Sequence, residues 1–405
     1  MNHDPLSMPR QYSLFQAMQA IIHCGPISRA SIAKQTGMSK QTASEVVRIL
    51  CEEGWVRETG RTSGHVGRTA TNYELIPESA YVVAADLGGT KLRTAIVDLN
   101  GNVLSELTEQ THSGGGSHVA SQIGVLSRRT ASVARLDYKK VKIAVVGCPG
   151  VPDKTTGAIN FAPNIVGIDV IDFAAEAERS LGVPLKLEND VNLAVLGEHW
   201  AGAGQDIDNL VYISLGTGIG AGLIVNGELL RGSGGFAGEL GYLPFGGDPF
   251  DEKSLRTGAF ERVAATFGIK RAYLELAGES CDVPTIFERL RNGDPHARKV
   301  IEDTAALLAR AVASVSAVTN PSVVMLGGSI GSQPEIIEAT KKYTAKCFPY
   351  PVRIEPSLLG DHAALCGAAA VGLENLHTTL FAKSSPGAVV ALPVPKISLS
   401  RRAAS

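Results

Sequence analysis

A chain of 405 residues, 44% of them hydrophobic and 19% charged, is long for one domain and can bury a core without disulfides or metal. Those figures exclude a disordered or collagen-like protein, and a net charge of −2 excludes a generic polyanion binder, so any nucleic-acid contact must come from a local patch. The 44 glycines point to loops where backbone approaches something closely.

Six cysteines at 24, 51, 148, 281, 347 and 366 include no CxxC pair, so neither a disulfide framework nor a zinc knuckle is written in their spacing. The start, MNHDPLSMPR, lacks the layout of a signal peptide, and a reduced cytoplasmic location is expected. Residues 311–334 carry no charge, but Asn320-Pro321 and Gly327-Gly328 break them into a buried helix, a turn and a strand. No membrane partner is expected.

Residues 1–78 read as a first domain. Leu14, Phe15, Met18, Ile21 and Ile22 share one helix face, and Gly25-Pro26 ends that helix. Ser28 is suited to cap a second helix, Gly37 to end it, and Ser39 to cap a third. Ala43, Val46, Val47 and Leu50 give the third helix a core stripe, with Lys40, Gln41, Ser44 and Arg48 opposite. A short strand from Trp55, a glycine-rich stretch with Arg61 and Arg68, and a strand to Leu75 complete the pattern of a winged helix-turn-helix. Residues 1–75 hold eight Lys and Arg against six Asp and Glu, a mild excess. The plainer alternative is a three-helix adaptor with a solvated polar face.

Residues 79–376 change to short strands and glycine loops. YVVAADLGGTKLRTAIVDLNG reads as strand, tight loop, strand and Asn100-Gly101 hairpin turn; NLVYISLGTGIGAGLIVNG repeats that order, Gly216 lying 128 positions after Gly88. This weak repeat implies two similar lobes. Gly88, Gly89 and Thr90 in one loop, and Gly216, Thr217 and Gly218 in the other, can turn backbone N–H groups and hydroxyls toward a phosphate. Asp86 is suited to hold Mg²⁺ through water, and Lys91 supplies positive charge. Asp190, where Leu187–Asn192 passes from strand to helix, can take a proton from a hydroxyl; alternatively Asn189 or Asp190 simply caps that helix. Gly327-Gly328 closes a further strand, and Gly360 to Gly367 suggests a fourth glycine turn. The tail 377–405 reads as weakly ordered.

The ordered set DLGGTK, GCPG, END, LGTGIGAG, AGELG and NPSVVMLGGS resembles the ROK family of repressors, open reading frames and sugar kinases, over roughly residues 10–375. The resemblance implies an α/β, two-lobed, actin-like (ribonuclease-H-like) ATPase and sugar kinase fold with the winged domain in front. It further implies that Asp86, Gly88, Gly89, Thr90, Lys91, Gly216, Thr217 and Gly218 bind nucleotide phosphates, with Gly327 and Gly328 near the adenosine. Asn189, Asp190 and Glu239 would bind sugar hydroxyls, Asp190 being the base in kinases. The family's ExGH and CxCGxxGC zinc cluster is replaced by Glu239-Leu240-Gly241-Tyr242 and a cysteine-free LPFGGDPFDEKSLRTG, so no zinc is expected and Tyr242 stands in for the imidazole. Glu252 lies about one position off the place of a further sugar glutamate that follows the cluster in the family, and no residue is assigned to that place.

Two functions follow from the resemblance. One is a sugar-responsive transcription regulator, a repressor of carbohydrate genes, acting as a homodimer or homotetramer on a double-stranded operator through Lys40, Gln41, Ser44, Arg48, Arg61 and Arg68. The other is an Mg-ATP-dependent sugar kinase that retains a DNA-binding domain.

Overall fold

The computed structural model describes residues 8–62, 70–162, 164–381 and 392–393. Helix α1 (Met8–Cys24) is followed by β1 (Ile27–Ser28), α2 (Arg29–Thr36), α3 (Lys40–Glu52), β2 (Val56–Thr62) and β3 (Ala70–Leu75). The caps arise from local chemistry. Ser28 Oγ accepts from Ser31 N at 3.2 Å, and Ser39 Oγ from Thr42 N at 3.0 Å. Gly37 ends α2 at φ 72°, a left-handed position glycine adopts without strain. Met18, Ile21, Ile32, Ala43, Val46, Val47 and Leu50 are buried together with Val56, Tyr73 and Leu75, and the strands pair in the order β1-β3-β2. Three helices and a hairpin around one core make the expected winged helix-turn-helix. The tip of the wing, with Arg68, lies outside the described residues, as does the side chain of Arg61.

The first lobe begins with the antiparallel meander β4 (Tyr81–Leu87), β5 (Lys91–Asp98) and β6 (Val103–Gln110). After α4 (Gly116–Val133) come β7 (Val141–Cys148), the small pair β8 (Val151–Pro152) and β9 (Ile159–Asn160), α5 (Phe173–Leu181), β10 (Leu185–Asn189) and α6 (Asp190–Ala201). Its sheet order is β10-β7-β4-β5-β6, with β7 parallel to both β4 and β10.

The second lobe repeats the plan. A meander of β11 (Leu210–Leu215), β12 (Ile219–Val225) and β13 (Glu228–Leu229) leads through α7 (Glu252–Thr257), α8 (Glu261–Ala264), α9 (Thr266–Ala277), α10 (Val283–Arg291) and the long α11 (Pro295–Thr319). Then follow β14 (Val323–Gly327), α12 (Gly328–Gly331), α13 (Pro334–Cys347), β15 (Ile354–Pro356) and α14 (Ala363–Phe381). The sheet order β13-β12-β11-β14-β15 matches the first strand for strand, including parallel crossovers from β11 to β14 and β15. The duplication legible in the two glycine loops therefore extends to the whole lobe. Both Asn-Gly hairpins form as expected, with Gly101 at φ 81° and Asn226 and Gly227 at 53° and 78°.

Helices α6 and α14 pack between the sheets, and two glycines permit their approach. A Cβ on Gly367 would stand 1.8 Å from Leu193 O, and one on Gly197 2.1 Å from Ala363 O. Gly367 is thus a helix-packing residue and not part of a turn; of the expected fourth glycine turn only Gly360 is found. The boundary at residue 377 also shifts. α14 runs to Phe381, and His377 is buried in it with Nε2 3.2 Å from Leu99 O. Trp200 Nε1 donates to Pro393 O at 3.1 Å, so this part of the tail packs on α6. α14 also touches α1, so the buried apolar residues run on from the first lobe to the winged domain. Among the described residues no helix is long and apolar enough to cross a membrane.

Candidate functional site

The carboxyl ends of the parallel strands carry the site, as in other open α/β sheets. Pairing sets Asp86 of β4 beside Gly147 of β7, and Gly147 beside Glu188 of β10. Asn189 then caps α6, its Oδ1 accepting from Val191 N and Asn192 N, both at 3.0 Å, while its Nδ2 donates to Gly150 O at 3.0 Å. The helix-cap reading therefore holds for Asn189, whose amide keeps one N–H for a ligand. Asp190, the first residue of α6, faces the cleft.

Asp86, Gly88, Thr90, Lys91, Asp190 and Gly328 line one cavity of about 240 Å³ between the lobes, together with Arg93, Tyr212, Ser214 and Asp361. Burial raises the Asp190 pKa to about 7, with Asp86 and then Glu239 adding charge repulsion, partly opposed by the Val191 N–H. Burial likewise raises Asp86 to about 6, against the pull of Arg93. A carboxylate poised near neutrality beside a hydroxyl-sized space can accept a hydroxyl proton.

Gly327 and Gly328 cannot be replaced by larger residues: a Cβ would stand 1.9 Å from Tyr212 Oη at the first and 2.4 Å from Leu215 O at the second. They turn β14 into α12 beside a second cavity, about 300 Å³, lined by Thr266, Lys270, Phe287, Arg291, Ser329 and Gln333. The second glycine loop closes with Gly216 N donating to Gly218 O at 3.0 Å, and Thr266 clamps it by donating from N and Oγ1 to Gly216 O. Thr217 opens instead on a third cavity, about 340 Å³, with Lys253, Arg256, Glu261 and Arg262. Asp86, Gly88, Thr90 and Lys91, which share the first cavity, are of the types that would hold a magnesium-bound polyphosphate; Gly216, Thr217 and Gly218 do not line that cavity.

Glu239 and Tyr242 lie beyond the first cavity. Burial raises the Glu239 pKa. Tyr242 Oη donates to Arg256 O at 3.1 Å, so its one proton serves the loop rather than a ligand. Glu252, near the place of the family's further glutamate, is exposed and pairs with Arg256. A further buried carboxylate lies near Glu239: Glu261 accepts from Ile219 N at 2.8 Å, and burial, and then Glu239, push its pKa up to about 7. Its distance from Glu239 in sequence hid it.

The zinc implied by the resemblance does not fit here. Residues 239–258 hold no Cys or His, and among the described residues no three His, Cys, Asp or Glu gather as a metal-binding group. The loop is held by polar contacts instead: Asp251 caps α7 and pairs with Arg262 at 3.1 Å, and Arg262 also donates to Ser254 Oγ at 2.6 Å.

On α3, Lys40 and Gln41 are exposed and Ser44 is partly so. Arg48 is exposed but engaged, pairing with Glu45 at 2.9 Å and Glu52 at 2.5 Å, and Glu45 in turn with Arg10 at 2.8 Å.

The model of the ROK family matches residues 82–374, and a winged helix-turn-helix DNA-binding model matches residues 12–57. A glucokinase of Thermotoga maritima is 31% identical over 73% of this chain and 98% of its own length. A putative xylose repressor of Caldicellulosiruptor sp. is 26% identical over 91% of this chain and 96% of its own. The crystal structure of a ROK hexokinase from Thermus thermophilus, 30% identical, superposes with a TM-score of 0.63 over 73% of this chain and 99% of its own. A ROK family transcriptional regulator, 24% identical, shares the fold over 93% of this chain and 99% of its own, with a TM-score of 0.72. With its two lobes, its glycine loops and the winged domain in front of them, the chain belongs to the ROK family.

Proposed function

We propose that this protein is a sugar-responsive DNA-binding transcription regulator, a repressor of carbohydrate genes. The observation that carries it is the joining, in one chain, of α3 with its exposed Lys40 and Gln41 to a cleft lined by Asp190, with Glu239 near enough to repel its charge. Xylose repressors align with both parts of the chain, 88–91% of it. Two copies would set two α3 helices on half-sites of a double-stranded operator, as homodimer or homotetramer. Sugar would bind through Asp190, Glu239 and the remaining Asn189 N–H, drawing the lobes together. Helix α14 offers a mechanical route outward: Ala363 and Ala364 line the cleft at its start, it packs along α6, and it touches α1.

The test is binding of the purified protein to the DNA upstream of its own and neighbouring genes, by fluorescence anisotropy, with and without sugars. One specific site released by one sugar is expected. An isolated large domain that binds the same DNA as well as the full chain would overturn the reading.

A second reading, an ATP-dependent sugar kinase, is favoured by the convergence of Asp86, Gly88, Thr90, Lys91 and Asp190 on one cavity. Mg-ATP, when bound, would supply the phosphoryl group. Asp86 would hold the metal through water, Gly88, Thr90 and Lys91 would cradle phosphates, and Asp190 would take the sugar hydroxyl's proton.

A further inference from the structure

Three aromatic rings stand together beside the candidate sugar site, one from the first lobe and two from the second. Phe161 follows β9, while Phe236 and Tyr242 flank Glu239 in sequence. The Phe161 ring lies 5.3 Å from that of Phe236 at 81° and 6.2 Å from that of Tyr242 at 84°, edge-on to both. All three remain open to solvent, at 50%, 49% and 37%. Single exposed aromatics need no explanation, but a contiguous group of them marks a binding surface. Phe161 also has φ 61°, a left-handed backbone that is costly for a bulky residue.

The rings adjoin the hydroxyl-binding groups on both sides. Gly150, whose carbonyl accepts from Asn189 Nδ2, lies so close to Asn160 that a Cβ would stand 2.2 Å from Asn160 O. Across the cleft, Glu239 N donates to Phe236 O at 3.3 Å and Tyr242 N to Glu239 O at 3.2 Å. The polar groups can hold the hydroxyls of one sugar ring. Of the trio only Tyr242 carries a polar atom, and with its proton spent on Arg256 O it can accept from a hydroxyl but not donate to one. What the trio offers is a surface for a second ring with an apolar face.

We infer that the cleft takes a glycoside rather than a free monosaccharide, with the sugar on Asn189, Asp190 and Glu239 and the aglycone ring against Phe161, Phe236 and Tyr242. This inference rests on the sugar-site reading above. Its test is titration calorimetry on the full chain with free glucose, xylose, mannose and galactose, their methyl glycosides and their 4-nitrophenyl glycosides, both anomers of each. One 4-nitrophenyl glycoside should bind about tenfold or more tightly than its free sugar and methyl glycoside, a difference of ~1.4 kcal/mol. Phe236→Ala and Phe161→Gly should erase that preference and leave the free sugar's affinity within twofold. Neither ring lies in a core and glycine relaxes the φ of 61°, so both variants should melt as the wild type does. Equal binding of free sugar and glycoside, or equal weakening of both by the variants, would overturn the subsite while leaving the sugar cleft standing. If 4-nitrophenol alone binds as well as its glycosides, the subsite is also wrong. Binding of none of the probes would remove both the sugar-site reading and this one.

Discussion

Arg231 of the second lobe places Nε and Nη2 on a single oxygen of Glu188 in the first, at 2.8 and 2.7 Å. The other Glu188 oxygen accepts from Asn189 N at 3.2 Å and Asn192 Nδ2 at 3.0 Å. One carboxylate therefore ties the opposite lobe to the turn that presents Asp190. Glu188 is nearly buried and Arg231 partly exposed, so the pair is neither a weak surface contact nor a fully desolvated one.

Arg231→Ala leaves Glu188 without its cation. We expect a loss of about 1–3 kcal/mol in urea unfolding and weaker sugar binding, because Asn189 and Asp190 lose their brace. Arg231→Lys keeps a charge and should recover part of both. Unchanged sugar affinity in Arg231→Ala would show that the strap has no bearing on the site.

The third helix makes a prediction that differs from the sequence expectation. Gln41 is exposed without a side-chain ion pair, whereas Arg48 is bound to Glu45 and Glu52. Gln41→Ala should cost specific DNA binding about 1–3 kcal/mol if its amide reads a base. Arg48→Ala should cost less, since in wild type its ion pairs must be given up before it can reach DNA. Anisotropy titrations on one operator compare the two directly, and a larger loss for Arg48→Ala would reverse this order.

What was legible in the sequence was mostly local. Serine caps, Asn-Gly turns and the Gly37 helix end depend on a few neighbouring residues, and each forms where expected. The duplicated lobes were legible because their glycine loops recur in order. Contacts between distant segments were not. Glu261 reaches Ile219 N across 42 residues, Arg231 meets Glu188 across 43, and Phe161 meets Phe236 across 75 positions; no periodicity signals any of them. Gly367 looked like a turn because its reason is a carbonyl on another helix, Leu193 O. Glu252 stands about one position off the place of the family's glutamate, and helix α7 turns it to solvent beside Arg256.

The buried carboxylates set a pH dependence. Asp190 is raised to about 7 from 3.8, so between about pH 4 and 7 the folded protein holds a proton that the unfolded chain releases. Stability from this group is therefore present at low pH and lost as pH rises through about 7. His377, pushed down to about 4 by burial, acts in the opposite sense, losing stability as pH falls below its ordinary 6.5. Comparing Asp190→Asn with wild type cancels the histidine. The variant's Tm should gain on the wild type's as pH goes from 5 to 8, by the equivalent of a few kcal/mol at most. A difference that does not change with pH would mean that Asp190 is not strained by its charge.

The same substitution separates sensor from kinase. Asparagine keeps the shape of aspartate and one acceptor oxygen but cannot take a proton. In a kinase, Asp190→Asn should lower turnover by roughly 10² to 10⁴, the usual worth of a general base, with little change in sugar affinity. In a sensor there is no turnover to lose, and the variant should shift only the sugar concentration at which DNA is released. Burial of Asp190 between Asp86 and Glu239 suits either role, because a carboxylate near neutrality can bind a hydroxyl as well as deprotonate it. The DNA-binding domain, which catalysis does not need, decides our expectation: at most slow ATP consumption by the wild type. Sugar-dependent phosphorylation at roughly 1 to 10³ per second, abolished by Asp190→Asn, would establish the kinase in its place.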